Sequence, residues 1–384
     1  MGDWKESKLG EYVESISETY KFKPNEQVIF LNTSDILLGH VINRELQDFA
    51  GLPGQAKKKI KKGDFLFSEI RPANGRYAAV DFDAENYVVS TKLMVLRCND
   101  KIDRTFFRIF LTAKEQLEYL QMIAEDRSGT FPQITFDHIY FLDISLPSLP
   151  EQKAIVSVFS SLDDKIDLLH RQNKTLEAMA ETLFRQWFVE EAQEDWEDGK
   201  IPDEFDYTMG ASPPGESYNK ADAGIPMFQG NADFEFRFPK RRIFTTDPKR
   251  FAEKHDTLIS IRAPVGAQNM ASEKCCIGRG VAAFRYKRNT SYYTYTYFKL
   301  KSLMREIKSF NDTGTVFGSI SKADFQEFEI VIPPGEVVDK YQSVVKPIDD
   351  KVISNTIHIR TLEKLRDTLL PKLMSSEVRV EYEN

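Results

Sequence analysis

The chain repeats itself. Residues 129–152, GTFPQITFDHIYFLDISLPSLPEQ, return as GTVFGSISKADFQEFEIVIPPGEV at 314–337, with Ile144, Leu146 and Pro147 matched by Ile330, Ile332 and Pro333 at a spacing of 186. The same spacing pairs LDDKI at 162–166 with IDDKV at 348–352, and Leu176, Glu177 and Leu183 with Leu362, Glu363 and Leu369. Upstream the match is looser. KKGDFLFSEIRPANGRYA at 61–78 parallels EKHDTLISIRAPVGAQNM at 253–270, and VVSTKLMVLR at 88–97 parallels CIGRGVAAFR at 276–285. Each copy is a mixed, β-rich segment followed by a helical one, so the order is domain, helix, domain, helix.

The helical segments carry a seam. Ile155, Phe159, Leu162, Ile166, Leu169, Asn173, Leu176, Ala180, Leu183 and Trp187 alternate spacings of four and three, as in a coiled coil. Val345, Ile348, Val352, Asn355, Ile359, Leu362, Arg366, Leu369 and Leu373 do the same in the second copy. Two such helices separated by a domain are expected to pair antiparallel, each about 55 Å long at 1.5 Å per residue, as a spacer with a domain at each end. Pseudo-twofold symmetry about residue 171 brings Asn173 and Asn355 into one layer, where they fix register at some cost in stability. Pro371 and the seam arginine Arg366 predict that the second helix kinks or ends earlier than the first. Trp187 and Phe188 are expected to pack on a neighbouring domain.

With 384 residues there is room for two domains with their own cores. No apolar run approaches the ~20 residues of a bilayer span, and the first residues form no hydrophobic signal region, so a cytoplasmic protein is expected. Cys98, Cys275 and Cys276 lack zinc-site spacing and read as buried thiols. The net charge of −7 is unevenly spread: −3 over 1–150, −7 over 151–198, +4 over 199–298 and −1 beyond. Acidity thus resides on the first helix and the run EEAQEDWED at 190–198, which reads as a linker into the second domain. What a polyanion meets is the local patch rather than the total.

Catalytic signatures are missing from the sequence. There is no phosphate-binding GxxxxGK[ST] loop, no dinucleotide or methyl-donor glycine loop after a strand, and no metal-spaced histidines among His40, His138, His170, His255 and His358. Asp64 with Glu69 and Arg71 faintly suggests a nuclease carboxylate pair, but the second copy has Ile261 at the place of Glu69.

Basic residues cluster in segments that read as loops. The first copy has Lys57, Lys58, Lys59, Lys61 and Lys62, then Arg71, Arg76 and Lys92; the second has Lys240, Arg241 and Arg242, Lys249 and Arg250, then Arg262 and Arg279. Lysine clusters supply salt-dependent phosphate contact, whereas an arginine held at a turn can fork onto guanine O6 and N7. Because arginine shifts by one residue against proline between EIRPANG and SIRAPVG, Arg71 and Arg262 need not point equivalently. The loops RSGTFPQ and DTGTVFG place Thr130 and Thr315 beside glycines that let a phosphate approach the backbone. SYYTYTYFKL at 291–300 reads as a core-facing element rather than a base-stacking platform.

The order of the chain, with ISLPSLPEQKAIVSVFSSLDDKIDLLHRQNKTLEAMAETLFRQWF, GTVFGSISKADFQEFEIVIPP and LISIRAPVG, resembles the specificity subunits of Type I restriction-modification systems along its whole length. The resemblance implies two α/β target-recognition domains, at 1–150 and 196–335. They would be joined by spacer helices at 151–195, with its acidic linker, and 336–384, with the C-terminal tail. It further implies that each domain reads half of a split site in double-stranded DNA, and that the chain has no catalytic activity of its own. Two modification subunits using S-adenosylmethionine and two restriction subunits using ATP and magnesium would be its partners. A coiled-coil adaptor without DNA readout is the alternative, marked by the absence of sequence-dependent binding once partners are supplied. A stand-alone nuclease is a third possibility, marked by metal-dependent cleavage.

Overall fold

The computed structural model describes residues 4–127, 132–262, 264–309 and 318–381. The described residues form two compact units: one reaches Asp164 and takes in the segment from Glu363 onward, and the other is Lys165–Leu362.

In the first unit the run Phe65–Ser68 is apolar almost without alternation and buried throughout, the pattern of a strand covered on both faces. It lies in an antiparallel sheet ordered Val13–Ile16, Leu93–Cys98, Phe65–Ser68, Tyr77–Ala79. Period-two alternation splits its side chains between two cores. Phe65 and Phe67 join Phe106, Phe107 and Phe110 of the helix Arg104–Leu111, together with Ile155, Phe159 and Leu373. Leu66 points the other way, to Ile29, Leu31 and Val89 of a second sheet. That second sheet is ordered Leu46–Asp48, Gln27–Leu31, Tyr87–Ser90, Ala56–Lys59, with its middle pair parallel.

The second unit repeats the plan. Its antiparallel sheet runs Phe205–Met209, Val281–Tyr286, Thr257–Ser260, Gln268–Met270. Ile259 and Leu258 divide between two cores as Phe65 and Leu66 do. The other sheet again contains one parallel pair, Ile225–Phe228 with Cys275–Ile277. Tyr293–Ser302 is a helix whose residues 293–300 are all buried, so this aromatic stretch is core-facing as its composition suggested. Each domain is also closed by the same antiparallel pairing of its first strand with the one before its long helix: Lys5–Lys8 with Asp143–Leu146, and Glu197–Lys200 with Glu329–Ile332. The end of the acidic run therefore belongs to a strand rather than to a linker.

A buried aspartate recurs as well. Asp64 accepts two hydrogen bonds from Arg97, at 2.7 and 2.9 Å, and one from the Lys61 amide at 2.9 Å. Asp256 accepts from Arg285 at 2.5 Å and from the Glu253 amide at 2.8 Å. In both copies the carboxylate ties a turn to the sheet, which accounts for Asp64 without a metal. Among the described residues no three His, Cys, Asp or Glu side chains gather as a metal-holding group. Cys275 and Cys276 are buried, whereas Cys98 is only half-buried, with desolvation pushing its thiol up to about 12.

The first long helix is Leu149–Arg185 and the second Gly335–Met374. In the second unit they run in opposite directions: Tyr341 donates to the Ala180 carbonyl, Asn173 contacts Thr356, and Ile166 and Leu169 pack with Ile359 and Leu362. Asn173 and Asn355 are both buried. Asn173 Nδ2 lies 3.3 Å from Thr356 Oγ1, and Asn355 Nδ2 lies 3.4 Å from Gln172 Oε1, so the two polar seam positions occupy neighbouring places across the pair. The expectation that the second helix ends earlier is corrected: it continues through Pro371 to Met374. Leu373 is buried in the first unit's core, so packing carries the turn that proline weakens. The seam arginine is answered too, with Arg366 Nη1 donating to Asp163 at 2.9 Å. Among the described residues no helix is long and apolar enough to cross a membrane.

Candidate nucleic-acid interface

Two loops carry the arginines singled out from sequence. In the first domain, Glu69 O accepts from the Ile134 amide at 2.9 Å, Ile70 bridges Gln133, and the Arg71 amide donates to Pro132 O at 3.2 Å. In the second, Ile261 O accepts from the Ile320 amide at 3.0 Å and Arg262 bridges Ser319. The matching bonds equate Glu69 with Ile261, and hence Ile70 with Arg262. Arg71 thus stands one residue further along its loop than Arg262, as the shift against proline suggested. Each arginine loop is thus bonded to residues at or just after the end of the Gly-Thr segment. Thr130 and Thr315 themselves lie outside the described residues.

Arg71 is exposed and caps the 3-10 turn Pro72–Asn74 in a left-handed conformation, φ 46°. A non-glycine residue held there stores strain, which the surrounding bonds must impose. Those bonds are Asn74 N–H to Arg71 O at 2.9 Å and Ala73 N–H to Gln121 at 3.2 Å.

The remaining basic residues separate by what already holds them. Lys57, Lys61, Lys62, Arg71, Lys92, Arg262 and Arg279 are exposed and, among the described residues, enter no ion pair. Others are engaged within the fold. Lys58 donates to Leu93 O at 2.8 Å, and its burial pulls the ammonium below its ordinary value. Arg76 donates to the carbonyls of Ser34 and Ile36, at 3.2 and 3.1 Å. Lys59 lies 3.7 Å from Glu18 and Lys240 lies 3.7 Å from Glu235. Arg241 donates to Glu273 at 2.7 Å, and Arg242 to the buried carboxylate of Asp233 at 2.9 Å. Phosphate contact is open to the first group without breaking an internal bond. The second group is already held within the fold.

The expectation of loops is also corrected for one cluster. Ala56–Lys59 is a strand, with Lys58 opposite Val89 and Lys59 opposite Val88. Lys59 therefore projects to the side opposite Lys58, while Lys57 falls at a bulge between Ala56 and Lys58 and is exposed. A run of identical lysines carries no alternation, so the period-two signal was hidden.

A family model, that of the Type I restriction modification DNA specificity domain, matches residues 1–178 and 193–364. The chain belongs to this family. Among the specificity subunits it resembles, that of the Type I restriction enzyme HindI of Haemophilus influenzae is 32% identical over 98% of this chain and all of its own length. The putative MjaX specificity subunit of Methanocaldococcus jannaschii is 29% identical over 98% and 94%. A chain solved in work on complex assembly and conformational transition of the type I R-M system is 27% identical, with a TM-score of 0.50 over 97% of this chain and 98% of its own. The Type I S subunit of M. genitalium is 18% identical but superposes with a TM-score of 0.61 over 97% and 96%, which shows a shared fold. This Type I specificity subunit is a mixed α/β protein with two repeated domains and long helices.

Proposed function

We propose that this chain is the DNA-reading component of a Type I complex, with one half of a bipartite duplex target read by each domain and no active site of its own. The observation that carries this reading is the repeat itself: two domains share strand order and buried Asp–Arg ties yet present differently placed free arginines, Arg71 and Arg262. Equal scaffolds with unequal loops suit two different base sequences. Exposed arginines can reach guanine edges, while Lys57, Lys61 and Lys62 neutralise phosphate.

The long helices set the unread gap, and their exposed flanks recruit two modification subunits for adenine methylation. S-adenosylmethionine belongs on those partners, and ATP and magnesium on two restriction subunits. The complex works in the cytoplasm.

The test is co-expression with the presumed modification subunit in a methylation-free host, with modified adenines mapped by long-read sequencing. A split motif with a fixed gap is expected, and exchanging residues 1–150 should change one half of it. A stable, active complex that modifies no defined motif would leave the structural adaptor as the better reading.

A further inference from the structure

On a hairpin bonded to the loop that carries Arg71, the first domain exposes an apolar side chain that no core explains. Leu38 is 61% exposed, at the tip of the hairpin that pairs Ile36–Leu37 with His40–Val41. Its φ is 45°, in the left-handed region where leucine is strained. Asn25 shares that region in this domain, but asparagine enters it at little cost; Leu38 and Arg71 do not. A strained, solvent-exposed leucine gains nothing for the fold that glycine or asparagine would not supply.

The hairpin is hydrogen-bonded along its length to the loop that carries Arg71. The Leu38 amide donates to Gly75 O at 2.8 Å, Gly39 N–H to Tyr77 O at 2.9 Å, and Ala79 N–H to Gly39 O at 3.1 Å. Arg76 reaches back across to the Ser34 and Ile36 carbonyls, and Leu38 Cδ2 lies over Gly75, where a Cβ would come within 2.6 Å. The tip therefore shows an apolar branch on a hairpin that is hydrogen-bonded to the loop carrying the exposed Arg71. The pairing matches the major-groove face of a base sequence, where arginine takes guanine and an apolar group takes the C5-methyl of thymine. Leu38, even with Ile42 and Leu46 also exposed in the same stretch of chain, falls short of the surface a stable protein interface needs, about 800 Å² per partner.

Resting on the reading that the first domain recognises DNA, we propose that Leu38 is a specificity-determining residue that contacts a thymine methyl group in the half-site read by that domain. The test uses the complex with its modification subunit and a duplex carrying its mapped target. Thymines of the first-domain half-site, in both strands, are replaced singly by deoxyuridine, and binding is measured at fixed salt. One replacement should weaken the wild-type complex about fourfold, the factor expected for one buried methyl-sized group. Leu38→Gly should bind the thymine duplex with the same loss and no longer distinguish uracil there, while Leu38→Met keeps the discrimination. Thermal melting of Leu38→Gly should stay within about 3 °C of wild type, because the substitution relieves a left-handed leucine while loosening the unfolded chain. A half-site without thymine, or an identical uracil response in wild type and Leu38→Gly, overturns this assignment alone. A wild-type complex with no half-site at all overturns it together with the reading it rests on.

Discussion

Arg237 offers the sharpest test of how the second domain is built. Its guanidinium is fully buried, its φ is 63°, and it stacks 3.9 Å from the centroid of the Tyr297 ring. One nitrogen lies 2.8 Å from Asp349 on the second helix and 4.0 Å from Glu177 on the first, though no guanidinium N–H is aligned for a hydrogen bond. Asp349 accepts instead from Thr294 at 2.9 Å. A buried pair of this kind is balanced between desolvation and attraction, so removing one member leaves an uncompensated charge worth about 3–5 kcal/mol. Asp349→Leu alone should therefore lower the melting midpoint by roughly 6–20 °C, at ~2–4 °C per kcal/mol for a unit of this size. Arg237→Met alone should cost a similar amount, including ~2 kcal/mol for the stacking on the Tyr297 ring. The double variant Arg237→Met/Asp349→Leu should recover most of the loss, because neither charge is stranded. Denaturation of all four proteins gives the coupling energy, expected above about 2 kcal/mol. Losses that simply add would refute the idea that the two charges exist for each other.

Glu204 is buried against Tyr295, whose hydroxyl donates to it at 2.5 Å, and burial raises its carboxyl above the ordinary value. A raised carboxyl favours the protonated fold, so its penalty appears as pH rises from the unfolded pKa through the folded one. Glu204→Gln removes that penalty together with the charge facing buried Lys299, so its midpoint relative to wild type should improve between pH 4 and pH 7; a difference independent of pH would exclude this cause. Asn173→Leu should raise the midpoint while loosening helix register, read by disulfide trapping between cysteines placed at 166 and 362. A higher midpoint with undiminished trapping would remove the register role. Arg262→Ala should relax one half-site only, whereas neutralising Lys57, Lys61 or Lys62 should reduce the salt slope by at most about 0.9 for each phosphate left without its lysine. Equal loss at both half-sites from Arg262→Ala would count against separate readers.

The helix pair was legible from a three-four periodicity that survives within a short window, and the repeat and two-domain order from segments matched at a constant spacing of 186. The burial of residues 293–300 was legible from aromatic density, although their alternation disguised a helix. Less could be read where partners are distant in sequence. Asp64 looked like half of a nuclease site because Arg97 lies 33 residues away, and its second-copy mate Asp256 meets Arg285 at a separation of 29. Arg76, Arg241 and Arg242 were indistinguishable from free cations until their acceptors were placed. Leu38 gave no signal, since neither its exposure nor its left-handed backbone follows from residue type.

The two copies depart from symmetry in how their helices are held. A shift of 186 equates Asp163 with Asp349 and Ala180 with Arg366. In the first unit this aspartate, next to a seam position, is answered by Arg366, from the paired helix, at 2.9 Å. In the second unit alanine occupies that place, and the answering cation, Arg237, comes from the globular domain. Arg360 of the second helix holds the same segment by its backbone, donating to Phe238 O at 2.8 Å and Pro239 O at 3.1 Å. Lys240, Arg241 and Arg242 follow directly, so helix residues position the second domain's basic triplet. Exchanging one domain for another is consequently unequal work in the two copies. A first-domain graft ending at residue 150 leaves Asp163 and Arg366 together. A second-domain graft of residues 196–335 carries Arg237 but not Asp349 or Arg360, and a recipient helix lacking either would strand a buried charge or free the loop that carries the triplet.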